Sequence, residues 1–216
     1  MWRGRPLAPP AGRATRPTSD KVREAVFDVL QVLQAVHGAP EWAAAHSGGP
    51  PRVPPAAANG GGPLAGHRAL DLYAGSGGLG IEALSRGART CTFVERDRAA
   101  VAALRRNLAT LEVPVTRRSG PHDDAAPAAR VVAAPVARAL QADARVGCMY
   151  TLVLADPPYA GAAGALETLG GLLGAVLAPQ AVIVVETSAK EDVALPWREV
   201  RVRVYGDTKV TFMVAG

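Results

Sequence analysis

Asp156-Pro157-Pro158-Tyr159 follows the apolar run Tyr150 to Ala155, so a buried strand ends in a carboxylate, two rigid prolines and an aromatic ring. That combination suits a flat base carrying an exocyclic amine. Such an amine is a weak nucleophile because its lone pair is delocalised into the ring. Acceptors on its N–H bonds draw it toward tetrahedral geometry. The Asp156 carboxylate and a carbonyl of the Pro-Pro turn supply two acceptors, and proline's fixed φ keeps them aimed. Tyr159 is then placed to stack on a base turned out of its helix or loop. Alone, the tetrapeptide also fits an ordinary strand-ending turn. Its placement at the carboxyl end of a strand favours a binding site, because ligands of open α/β sheets sit there.

The partner for such a site lies upstream. Arg68 to Gly80 reads as a short strand (Ala69 to Tyr73), a glycine loop, and a helix running through Ile81, Leu84 and Ser85. Gly75, Gly77 and Gly80 form G-x-G-x-x-G, in which the first glycine permits the tight turn, the second close approach of a ligand and the third close helix packing. A second strand, Thr90 to Val94, ends in Glu95, an acid about twenty residues past the first glycine and suited to ribose hydroxyls. These features fit NAD as well as S-adenosylmethionine. Asp71 separates the two: at the strand-to-loop joint it either meets the ammonium of a methionine moiety or orients the loop, whereas opposite a pyrophosphate it would repel. The candidate cofactor contacts are Asp71, Tyr73, Ala74, Gly75, Ser76, Gly77, Gly80, Glu95 and Arg96.

Four separated stretches resemble the RsmD family of bacterial small-subunit ribosomal RNA guanine-N2 methyltransferases. They are Trp2 to Leu7, Arg16-Pro-Thr-Ser-Asp-Lys-Val-Arg-Glu-Ala-Val-Phe27, Leu70 to Arg86, and Asp156 to Tyr159. The second stretch sets this family apart from others with the same cofactor loop. The resemblance implies a Rossmann-like class I S-adenosylmethionine-dependent methyltransferase: an α/β fold with a seven-stranded, mostly parallel sheet, its last strand antiparallel, and helices on both faces. It further implies transfer of a methyl group to a guanine N2 amine of 16S rRNA, with Asp156, Pro157, Pro158 and Tyr159 as the catalytic group and the small ribosomal subunit as partner.

The elements that must position these residues can be read from pattern. Thr18 or Ser19 is a plausible N-cap for a helix of about residues 19 to 36, whose apolar stripe is Val22, Val26, Val29, Leu30 and Leu33. The first 23 residues hold Arg3, Arg5, Arg13, Arg16, Lys21 and Arg23 against Asp20, a net of +5, which equals the charge of the whole 216-residue chain. Phosphate contact is therefore expected at this end. Residues 38–66 are rich in Gly, Pro and Ala and are expected to be a disordered loop between a basic segment (1–37) and a catalytic domain (67–216). Further strands are expected at Arg130 to Ala133, Thr151 to Ala155, Ala181 to Glu186, Glu199 to Tyr205 and Thr208 to Val214, the last two joined through Gly206-Asp207 as a hairpin. Ala134-Pro135 follows the third strand where a polar adenine contact is customary. Backbone groups, or Asp143 in another register, would have to supply it. Glu186 ends its strand on the same edge as Asp156.

The start lacks a hydrophobic leader and no run is long enough to span a bilayer, so a cytoplasmic protein without membrane contact is expected. Cys91 and Cys148 read as free buried thiols, and His37, His46, His67 and His122 form no metal or catalytic pair. A metal-free monomer is the expectation. Two other functions remain open from the residues: a DNA amino-methyltransferase acting on adenine N6 or cytosine N4, and an RNA-binding assembly factor without turnover.

Overall fold

The computed structural model describes residues 20–37, 62–116, 128–158 and 162–216. Arg3, Arg5, Arg13, Arg16, the Thr18 or Ser19 cap, residues 38–61, residues 117–127 and Tyr159 lie outside the described residues. The strands are β1 (Arg68–Leu72), β2 (Thr90–Glu95), β3 (Val115–Thr116), β4 (Ala128–Ala133), β5 (Tyr150–Ala155), β6 (Leu177–Ser188), β7 (Arg198–Tyr205) and β8 (Thr208–Val214). The helices are α1 (Asp20–His37), α2 (Gly78–Ser85), α3 (Arg98–Thr110), α4 (Val136–Arg145) and α5 (Ala162–Leu172), the last followed by a 3-10 turn.

All eight strands form one sheet in the order β3-β4-β2-β1-β5-β6-β8-β7. Pairing is parallel throughout except at β8, which runs against both β6 and β7. The seven expected strands are present, and the two-residue β3 extends the far edge. Parallel strands joined by helices are buried on both faces, which is why β5 is apolar at nearly every position rather than alternating.

One apolar layer unites α1, α2 and α3 with one face of the sheet. Val22, Val26, Leu30 and Leu33 point into it, as the helical stripe predicts, and so does Phe27, which is 1% exposed. The Phe27 ring also carries the Arg86 guanidinium 5.1 Å from its centroid, and Arg86 reaches back to Glu82 at 2.7 Å. These contacts seat α1 on α2, in the same apolar layer as the sheet. Burial of each large side chain in this layer stabilises the arrangement by about 1.5–3 kcal/mol.

The described core also includes residues just before residue 67. Residues 62–66 form a turn in which Leu64 is buried and its N–H donates to the Arg86 carbonyl at 3.1 Å. A Cβ on Gly62 would fall 2.1 Å from that same carbonyl oxygen, so this contact needs glycine. Composition marks the stretch as loop but does not show that its lone leucine has a slot. No helix among the described residues is long and apolar enough to cross a membrane.

Candidate active site

The carboxyl ends of β2, β1 and β5 lie side by side. Leu72 is level with Val94 on one side and with Ala155 on the other, so Asp71, Glu95 and Asp156 fall on one edge of the sheet. Glu186 joins this row one strand further on, since Val185 pairs with Ala155. It is buried within β6.

The chain leaves β1 through Tyr73, whose φ of +60° lies in the left-handed region that a non-glycine residue enters only at a cost. The Ala74 N–H pins the exit to the Val94 carbonyl at 3.1 Å, and the Gly77 N–H closes a tight turn on the Ala74 carbonyl at 2.7 Å. Gly75 and Gly77 both have positive φ, +55° and +91°. A Cβ on Gly75 would meet nothing within 4 Å, whereas on Gly77 it would fall 2.4 Å from Leu104 Cδ1. Gly75, inside that turn, permits it as the motif suggests and is also the open approach to the backbone, whereas Gly77 is packed, so the open approach lies at the first glycine rather than the second. Gly80 behaves as expected: its Cβ would fall 2.3 Å from Phe93 Cε1 and 2.8 Å from Asp71 Oδ2, so α2 can close on the sheet only without a side chain there.

Asp71 is 2% exposed and accepts the Gly80 N–H on Oδ2 at 2.8 Å. Of the two roles open to it from sequence, orientation of the loop is therefore present in the fold. Burial pushes its carboxyl up to about 8; the Gly80 N–H opposes the rise, and the charges of Asp156 and Glu95 add to it. Glu95 spans the other side of the loop. Its Oε2 accepts the Gly75 N–H at 2.9 Å, and Oε1 accepts those of Arg96 and Asp97 at 2.7 and 2.8 Å. A carboxylate has about four acceptor positions, so three backbone donors leave room for a further one such as a hydroxyl. Arg96 is exposed, and its charge opposes the burial that raises the half-buried Tyr73 phenol. Ala74 is buried and Ser76 only partly so.

Asp156 is half-buried, and its N–H points to the Leu72 carbonyl at 3.4 Å, which ties the start of the Asp-Pro-Pro turn to β1. Pro157 is buried and Pro158 exposed. At the start of α1, Lys21 is exposed, whereas Arg23 turns toward the loop with Nη1 3.8 Å from the Cβ position of Gly78.

One residue behind the site escapes a reading of the sequence. Asn107, on the buried face of α3, donates from Nδ2 to the Ser76 carbonyl at 3.0 Å and so braces the glycine loop from behind. A single amide among Val101, Leu104 and Leu108 is the signal that points to it. Asp143 is a correction. It is paired with Arg130 inside the fold and accepts the Tyr150 hydroxyl at 2.6 Å. Since Tyr150 opens β5, this cluster is at the amino edge, opposite the candidate site, and Asp143 is no adenine contact. β4 ends at Ala133 as expected, and Ala134 donates its N–H to the Glu95 carbonyl at 3.0 Å. Cys91 and Cys148 are both buried and not joined in a disulfide.

An open parallel sheet with its reversed penultimate-in-space strand, a glycine loop after β1, an acid closing β2 and Asp-Pro-Pro closing β5 defines the Rossmann-like methyltransferase class. A protein provisionally described as the methyltransferase yhhF of Escherichia coli superposes with a TM-score of 0.68 at 31% identity, over 99% of this chain and 93% of that one. The family profile called Conserved hypothetical protein 95 matches residues 1–214. The chain belongs to this family, the RsmD family. Ribosomal RNA small subunit methyltransferase D of Escherichia coli is 34% identical over 192 residues, 88% of this chain and 73% of that protein. The Bacillus subtilis relative YlbH, provisionally described as an rRNA methyltransferase, is 37% identical over 158 residues, and the matched part spans 62% of its length.

Proposed function

We propose that the chain is an S-adenosylmethionine-dependent RNA methyltransferase that modifies the exocyclic N2 amine of a guanine in small-subunit ribosomal RNA. The observation that carries this reading is the row of Asp71, Glu95 and Asp156 on three adjacent strands, with the open backbone of Gly75 between them. Guanine and the small subunit rest on the family and on the name of its Escherichia coli member.

The residues present fit the cofactor. Glu95 retains an acceptor position for ribose, Gly75 leaves the loop open, and the acidic row suits a sulfonium cation far better than a pyrophosphate. When bound, S-adenosylmethionine supplies an electrophilic methyl group. Asp71, already raised by burial, is the group that an ammonium would return to its ionised form. Asp156 and the Pro157 carbonyl accept the two N–H bonds of the target amine, and Tyr159 stacks on the base. The amine proton leaves after transfer, so no strong base is required. Alignment of two reactants in one site provides much of the acceleration. Lys21, and beyond the described residues Arg3, Arg5, Arg13 and Arg16, hold the phosphate backbone of the RNA.

The test is methyl incorporation into small ribosomal subunits, naked 16S rRNA and duplex DNA, followed by mass mapping of the modified nucleotide. A methylated guanine N2 in the subunit or its RNA supports the assignment. Incorporation only into DNA adenine or cytosine replaces it with the DNA amino-methyltransferase, and binding of RNA without any incorporation replaces it with an assembly factor.

A further inference from the structure

We infer that Glu186, one residue past the last pairing of β6 with β5, selects guanine among the bases that carry an exocyclic amine, by accepting the N1–H beside the target N2 amine. The inference rests on the guanine reading above and deepens it, because the Asp-Pro-Pro turn alone can hold the amine of any base.

The sheet sets this carboxylate beside Asp156. Val185 pairs with Ala155 in the parallel register of β5 and β6, so Glu186 is level with Asp156 on the next strand. Side chains alternate along a strand. Leu154 and Val184 both belong to the apolar layer of α1, α2 and α3, whereas Ala155 and Val185 both belong to the opposite layer. Glu186 therefore shares the face of Val184. Asp156, whose N–H continues the ladder to the Leu72 carbonyl, shares that of Leu154. Neighbouring strands run about 4.8 Å apart, so the two carboxylates stand side by side at the carboxyl edge. On its other side Glu186 is level with Val210, which is apolar and fully buried. Across the sheet, its polar neighbour is thus the candidate base site.

The chemistry of the bases then selects one of them. Beside its N2 amine guanine presents N1–H, a donor. Beside N6 adenine presents N1, and beside N4 cytosine presents N3, each a bare lone pair. An ionised carboxylate only accepts, so a second one next to the amine holder matches guanine and repels the other two. Glu186 is 7% exposed, and away from water two lone pairs set against each other find no hydration to relieve them. Glu186 already interacts within the fold. A carboxylate has about four acceptor positions, and the base N–H is added to those contacts. Asp156 and the Pro157 carbonyl hold the amine, and Glu186 reads the atom next to it.

The test measures kcat/KM for methyl incorporation into 16S rRNA, free or in reconstituted small subunits, with guanine or 2-aminopurine at the nucleotide that the wild type methylates. 2-Aminopurine keeps the amine but presents N1 as a lone pair. A hydrogen bond to a charged group corresponds to roughly 10- to 100-fold, and the wild type is expected to favour guanine by at least that ratio. Glu186→Gln offers the bare N1 a donor as readily as it offers N1–H an acceptor, and is expected to shrink the preference about tenfold or more. Glu186→Asp, shorter but still ionised, keeps the preference at a lower rate on both substrates. Equal slowing of both substrates by Glu186→Gln, with the ratio unchanged, overturns the assignment. So does a wild type that methylates both substrates equally, a comparison that stands even where a variant fails to fold. A wild type that methylates no guanine overturns the parent reading as well, which separates the two failures.

Discussion

Asp71→Asn is the perturbation that the structure specifies most fully. The carboxyl sits at about 8 in the fold against an ordinary 3.8, so between those values the folded chain holds a proton that the unfolded chain has released. Stability therefore falls as pH rises across that window, by about 1.4 kcal/mol per pH unit. A second buried group acts in the opposite sense. Burial lowers His67 from 6.5 to about 4, with its hydrogen bond to Thr151 opposing, so its contribution is lost as pH falls from 6.5 toward 4. The two slopes offset each other below 6.5, which leaves Asp71 alone above it. From pH 6.5 to 8 the cofactor-free wild type should lose roughly 2 kcal/mol through Asp71. Asparagine retains an acceptor for the Gly80 N–H and removes the titration. Its stability should be flat over the same interval and exceed the wild type by roughly 4 kcal/mol at pH 7. Urea unfolding at pH 5, 6.5 and 8 reads this directly, and below 6.5 the variant should weaken as pH falls, with the His67 slope exposed. An Asp71→Asn chain that keeps the wild-type slope between 6.5 and 8 refutes the reasoning.

Three further outcomes are expected. Asp156→Ala should abolish most turnover while cofactor affinity stays nearly intact, and a variant with full activity in the methyl-incorporation assay removes Asp156 from the site. Gly80→Ala drives a Cβ into Phe93 and Asp71 and should cost about 1–3 kcal/mol in urea unfolding, with weakened cofactor binding. Asp143→Ala leaves the Arg130 guanidinium buried without its carboxylate partner and should cost about 3–5 kcal/mol. Because that cluster lies at the amino edge, affinity for S-adenosylmethionine in the surviving folded chain should be unchanged, as calorimetry can show.

The parts of the site written in contiguous residues were legible in the sequence. Strand β5 running into Asp156-Pro-Pro, and β1 running into the glycine loop, each carry their position in a single stretch. The amphipathic stripe likewise located α1. What pattern did not carry is which residues meet across the sheet. Arg130 sits mid-strand between Ala129 and Val131, and only the pairing of β4 with β2, together with the placement of α4 and β5, brings it to Thr92, Asp143 and Tyr150. Asn107 reaches Ser76 from 31 positions away. The packing of Gly77, where the motif suggests an open approach, has the same origin, since it depends on where Leu104 of α3 comes to rest.

The order of the strands also sets a timetable. Asp71 and Asp156 come together only when β1 pairs with β5, which joins residues more than eighty positions apart, such as Ala69 and Leu152. A nascent chain emerging from the ribosome thus carries the complete glycine loop long before it has the second half of its cleft. The sheet closes later still: β8 lies between β6 and β7, and among the described residues β7 pairs with no other strand. Until Thr208–Val214 is made, β6 presents an open apolar edge and β7 has nowhere to dock, an arrangement prone to pairing with other chains. The final strand is therefore the keystone of assembly, and shortened chains should aggregate rather than retain partial function.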